Sequence, residues 1–143
     1  MEKFRKNLRV ASLAIIAIII LVVISMIVNP IRRTNSGVRR HLLLSTPIGT
    51  NIEEVIRVSE ENAKLTIRYV RENAGVVLLK PNLSPTNFLP NSIRDTIVVG
   101  EKSICIYLGT FNFITRISVE AFFAFDESDE LIEIFIRRYY DFP

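Results

Sequence analysis

RISVEAFFAFDESDELIEIFIRRY, residues 116–139, decides the fold. Two runs rich in β-branched and aromatic residues, Arg116 to Phe125 and Leu131 to Tyr139, flank the polar bridge Asp126-Glu127-Ser128-Asp129-Glu130. Such runs favour strands, and a short polar bridge between two of them predicts an antiparallel hairpin. Alternation then puts Ile132, Ile134, Ile136 and Arg138 on one face, and Leu131, Glu133, Phe135 and Arg137 on the other. The isoleucine face is expected to meet helices. The face that sets Phe135 between charges is expected to be at least partly wet.

Upstream, Ser103 to Gly109 (SICIYLG) predicts a further strand, and Val76 to Leu79 a short one bounded by Gly75 and Pro81. From Leu65 a period of two begins, with Leu65, Ile67 and Tyr69 alternating with Thr66, Arg68 and Val70, which predicts a strand. A continuation of the preceding helix through Val70 to Gly75 is the open alternative. Between these, Lys80 to Thr96 carries Pro81, Pro85 and Pro90, so neither a central strand nor a helix interior fits there. A surface excursion pinned by Leu83, Phe88 and Leu89 is expected.

Two helices precede the strands. Ser36 is a candidate cap for a helix reaching Ser45, with Val38 and Leu42 on one face. Thr50-Asn51-Ile52-Glu53 fits a capping box opening a helix over Asn51 to Asn62. There Ile52, Val55 and Ile56 recur at helical spacing, and Glu53 and Glu54 suit the positive end of the helix dipole. The expected fold is therefore α+β: two short helices packed on an antiparallel β-sheet.

Before that domain stands Val10 to Val28, VASLAIIAIIILVVISMIV, nineteen residues without a charge. As a helix at about 1.5 Å per residue it approaches the ~30 Å hydrocarbon core of a bilayer. It is too long for a signal-peptide core and ends without a small-residue cleavage pattern or a lipid-accepting cysteine. An uncleaved, single-pass signal anchor is expected, with residues 1–9 as basic lead, 29–36 as juxtamembrane linker and 37–143 as the domain. Lys3, Arg5, Lys6 and Arg9 flank it on one side. Arg32 and Arg33 follow the Asn29-Pro30 break on the other, where long basic side chains snorkel to headgroup depth. Basic residues stand on both sides of the span, and the denser N-terminal cluster favours N-terminus inside and the domain outside the cell membrane.

The chain's charge of +3 divides unevenly. Residues 1–40 hold eight lysines and arginines against one acid, +7, and 41–143 hold ten against fourteen, −4. Basicity belongs to the membrane flank, which removes the domain-borne basic face that nucleic-acid binding needs. Cys105 is alone, so an internal disulfide is excluded, and its place in an alternating run marks it as a small buried residue.

Candidate chemistry is sparse. His41 is the single histidine and sits beside the anchor, which leaves imidazole metal sites and Ser-His-Asp catalysis without partners. The five glycines are too scattered for a phosphate-binding loop. From Asp126 the sixth residue is Leu131 and the twelfth Arg137, so the calcium-loop pattern of glycine and glutamate fails. Glu101, Glu120 and Glu133 are the carboxylates from which an acid–base pair could be drawn, and wet strand faces carry such residues routinely. No enzyme, metal, cofactor or small-molecule substrate is expected.

Gly49-Thr50 with Val55 on a capped helix, Tyr107-Leu108-Gly109 at a strand end, and Phe125-Asp126 with Leu131 at the hairpin resemble features of the small outer-membrane assembly lipoproteins of the SmpA/OmlA type. That resemblance implies a β-lactamase-inhibitor-protein-like layer of two helices on an antiparallel sheet over about residues 36–140. Thr46 to Thr50 with Glu53 to Val55 also resembles small membrane proteins of Gram-positive bacteria, which implies no particular activity. The expected function is a non-catalytic protein-binding module at the membrane surface. Its candidate partner-binding residues are Phe88, Leu89, Asp126, Glu127, Asp129, Glu130 and Phe135. The alternative is an inhibitor or immunity-type protein acting through the acidic hairpin loop.

Overall fold

The computed structural model describes residues 2–79, 84–86, 96–112 and 115–141, with side chains over 11–25, 28–79, 96–112 and 115–140. Phe88 and Leu89, and the side chains of Lys3, Arg5, Lys6 and Arg9, lie outside these. Helix α1 (Glu2–Val28) leads through a 3-10 turn (Pro30–Arg32) to α2 (Asn35–Ser45) and α3 (Ile52–Glu61). The strands are β1 (Thr66–Arg71), β2 (Val76–Leu79), β3 (Ser84–Thr86), β4 (Thr96–Val99), β5 (Lys102–Asn112), β6 (Arg116–Phe125) and β7 (Leu131–Asp141). Among the described residues no helix is long and apolar enough to cross a membrane.

The α+β class is as expected, but the sheet is not one sheet. β1-β5-β6-β7 form a four-stranded antiparallel sheet, and β3-β2-β4 a second, three-stranded one. Part of the expected 80–96 excursion is therefore strand. Pro85 lies in β3, at the edge of the small sheet, where a missing N–H costs no ladder hydrogen bond. The prolines ruled out a central strand correctly and hid an edge strand.

Each sheet face has its own core. Toward the helices, Ile104, Ile106, Val119, Ala121, Phe123, Phe125, Ile134 and Ile136 pack with Val38 of α2 and Val55 of α3. On the opposite face, Cys105, Phe122 and Ala124 pack with Val76 and Leu78 of β2. Phe135 belongs to this second cluster, so the small sheet partly covers the face expected to be wet. β4 passes into β5 through Gly100, whose backbone lies hard against Gly75. A Cβ on Gly75 would stand 2.0 Å from the carbonyl oxygen of Gly100, and Gly100 itself has φ +77°.

Bulges correct the expected faces. Phe125 pairs with Leu131 and Ala124 with Glu133, leaving Ile132 as the extra residue. Leu131 is consequently buried on the helix side and Ile132 exposed, while Ile134 and Ile136 hold their expected place. In β1 the register slips between Ile67 and Tyr69, so Tyr69 leaves the face of Ile67. In β5 the slip falls between Tyr107 and Gly109. Gly109, with φ +128°, carries β5 past the point where a strand end was expected.

The helix caps also shift by a residue or two. Thr34, not Ser36, caps α2 by accepting from the Gly37 N–H at 3.2 Å. Asn51, not Thr50, caps α3 through the Glu53 N–H at 3.0 Å, because the Thr50 hydroxyl donates to the Pro47 carbonyl at 2.6 Å. At the outer edge of β7, a Glu133 carboxylate oxygen accepts from the Ile134 N–H at 2.8 Å. Beside it the Asn35 amide donates to the Ile136 carbonyl at 3.4 Å, and Arg39 of α2 pairs with Glu133 at 2.5 Å.

Candidate functional site

The outer face of the large sheet carries a polar cluster built from all four of its strands. At its centre is Glu120 of β6, flanked across the ladders by Tyr107 of β5 and Arg137 of β7. Its side chain keeps 12% exposure, and a carboxylate this screened needs charged or hydrogen-bonding company. Arg68 supplies it, with Nε 3.9 Å from Glu120 Oε1. The Cys105 thiol points at Oε2 from 3.8 Å.

The bulge in β1 delivers Arg68 to this face. An extra residue lets Arg68 and Tyr69 lie on the same side where strict alternation would separate them. Three guanidiniums then stack on three tyrosine rings: Arg68 over Tyr107 at 4.7 Å, Arg71 over Tyr69 at 4.5 Å, and Arg137 over Tyr139 at 4.6 Å. Each stack holds a long cation in place by attraction to the ring face. The Tyr107 hydroxyl bonds Thr110, whose hydroxyl reaches Ser118 at 3.2 Å. The Tyr139 hydroxyl is buried without a formed hydrogen bond among the described residues.

Burial, with the Glu120 carboxylate second, pushes the Cys105 thiol up to about 12. Tyr139 is raised to about 12 first by burial and then by Glu120. Tyr69 is raised further, by burial and by Cys105. A thiol that holds its proton this firmly is a poor nucleophile. Among the described residues no group of three or more His, Cys, Asp or Glu could hold a metal ion.

The sequence-derived candidates fare differently. Asp126 and Asp129 serve the hairpin: Asp126 Oδ1 accepts from the N–H groups of Ser128 and Glu130, each at 2.9 Å. Asp129 pairs with Lys102 at 2.5 Å, and its carbonyl accepts from the Ile52 N–H at the start of α3, at 2.9 Å. Glu127 and Glu130 stay exposed. Phe135 is half-buried beneath the small sheet, and Glu133 is drawn to α2 by Arg39. Arg32 lies over the Phe111 ring at 5.8 Å, and His41 is exposed.

Of the carboxylates picked out by sequence, only Glu120 joins this cluster. The tyrosines and arginines around it were missed, and their one trace in the sequence is that Arg68, Tyr69 and Arg71, like Arg137 and Tyr139, are near neighbours in otherwise apolar strands. The chain matches no family model, no curated protein and no solved structure.

Proposed function

We propose that this chain is a membrane-tethered, non-catalytic module that binds a protein partner through the outer face of its four-stranded sheet. The observation that carries the reading is the set of three arginine–tyrosine stacks gathered round Glu120. Tyrosine and arginine are enriched among the residues that dominate interface energetics, offering large contact area and directional donors. Here the stacks have already restrained the arginines before a partner arrives. The guanidinium edges favour an acidic surface opposite them.

The tether is the second half of the proposal. Val10–Val28 is uncharged, and helix α1 turns Leu13, Ile18 and Leu21 more than half exposed. Apolar side chains exposed all round a helix are untenable in water and at home in hydrocarbon. The denser of the two basic clusters precedes the span, which favours the N-terminus inside and the domain outside the cytoplasmic membrane. The inhibitor reading has less support, since half of the acidic loop is engaged within the hairpin.

The test places a photo-crosslinker at Tyr107 in the full chain in its membrane. A defined partner is expected there, lost with Arg137→Glu and kept with Glu60→Lys on the far side of α3. A blank at Tyr107, or a partner indifferent to Arg137→Glu, sinks the binding face. A topology reporter fused after Pro143 tests the orientation separately.

A further inference from the structure

A groove opens at the root of α1, where the 3-10 turn, α2, α3 with the loop after it, and β5 meet. Val28, Ile31, Leu42, Leu44, Leu65 and Leu108 line it, and it encloses about 940 Å³. That is near the top of the range for small-molecule sites, which are mostly apolar with a few polar groups at one end. Leu44 is 80% exposed and Val28 76%, so the apolar wall is open to whatever surrounds the end of α1. Adjoining it is a polar notch of about 470 Å³ that shares Asn29 and Thr110 with the groove and holds Arg32 and Arg116. Among the described residues lining the notch there is no carboxylate.

We infer that the groove seats one acyl chain of an anionic phospholipid, with the headgroup phosphate in the arginine notch. Resting on the proposed anchor, this adds a ligand to the same end of the molecule. If α1 ends at the bilayer surface, Val28 is the last residue at hydrocarbon depth. The groove then begins where lipid chains end. Burial of CH₂ groups drives the chain inward, and two guanidiniums in one notch match a phosphate that carries negative charge. The apolar slot and the cationic notch adjoin, as the two parts of a phospholipid do.

The chain has no tryptophan, so single-tryptophan reporters can be read one at a time in the full chain in nanodiscs. Ile18→Trp reports on α1, His41→Trp on the groove rim and Glu60→Trp on the exposed side of α3. With phosphatidylglycerol brominated on its acyl chains, Ile18→Trp and His41→Trp are expected to lose most of their emission and Glu60→Trp to keep it. A small fraction of brominated phosphatidylglycerol should quench His41→Trp more than the same fraction of brominated phosphatidylcholine. Arg32→Gln and Arg116→Gln should each reduce that preference about fivefold.

If Ile18→Trp is quenched while His41→Trp behaves like Glu60→Trp, the groove holds no lipid, though the anchor stands. Equal quenching by the two headgroups overturns the phosphate assignment. Emission of His41→Trp that follows protein density and ignores bromine assigns the groove to a second copy and also overturns it. An unquenched Ile18→Trp removes the anchor, and the lipid site with it.

Discussion

The two faces of the large sheet are made from the same strands and serve different ends. Along β6, Ile117, Val119, Ala121, Phe123 and Phe125 face the helices and are all buried, while Ser118, Glu120, Phe122 and Ala124 face the other way. The helix side is dry from end to end. The outer side is dry only beneath β2, at Phe122 and Ala124, and turns polar beyond it. Cohesion is concentrated on one face, which leaves the uncovered half of the other free to carry charged and aromatic side chains that add little to stability.

The sharpest way to break that contrast is to compare truncations on the two sides. Phe123→Ala is expected to cost about 3–5 kcal/mol, as large-to-small changes in tight cores do, measured by denaturant unfolding of the full chain in detergent. Arg71→Ala, whose guanidinium stacks on Tyr69, should cost at most about 1 kcal/mol, the scale of a surface cation–π contact, and weaken the proposed partner binding. Equal costs would end the division between the faces.

Next in size is the joint between the two sheets. Gly100→Ala puts an L side chain at φ +77° with its Cβ 2.5 Å from the Phe125 carbonyl oxygen. A loss of about 1–3 kcal/mol is expected from the backbone strain alone, read from the same unfolding curves. No loss would mean the small sheet is not held where it covers Phe122.

A pH series separates the faces without mutation. In the unfolded chain a thiol titrates near ~8.5, whereas in the fold Cys105 keeps its proton up to about 12. The fold therefore prefers the protonated thiol. That contribution is complete below ~8.5 and is lost as pH rises from there toward 12. Tyr139, also raised to about 12, adds a second loss above its unfolded value of ~10. Stability should fall across this alkaline range, and Cys105→Ala should flatten the first part of the fall. An unchanged slope in that variant would remove Cys105 from the account.

The smallest effect belongs to Arg39→Ala. Its pair with Glu133 is short, but both side chains are more than a third exposed, or nearly so, at 40% and 34%. Such pairs contribute at most about 1 kcal/mol. A larger loss in thermal unfolding would show that α2 depends on this contact more than on Val38.

The hairpin was legible from sequence because β-branched and aromatic residues recur with a period of two on either side of a polar bridge. The helices were legible from Val55 and Ile56 at helical spacing. What escaped were single-residue events. Ile132 and Leu131 exchange places at a bulge, and a bulge is a matter of pairing partners rather than of local propensity. Thr34 and Asn51 take the caps from Ser36 and Thr50 because neighbouring residues of similar chemistry compete for one site, and tertiary contacts choose between them. The small sheet escaped because β3 is three residues around a proline. The cluster round Glu120 escaped because positions 68, 107, 120, 137 and 139 meet only after four strands are laid in order.

The covered margin of β7 has a consequence for how copies of this chain would meet on the proposed membrane plane. Molecules confined to a plane collide far more often than molecules dispersed in volume, and an open strand margin would let them zip together into ribbons. With Glu133 occupying the N–H of Ile134 and Asn35 the carbonyl of Ile136, that margin has nothing to offer a neighbour at those positions. A strand approaching this margin finds two of its would-be hydrogen-bond partners already taken.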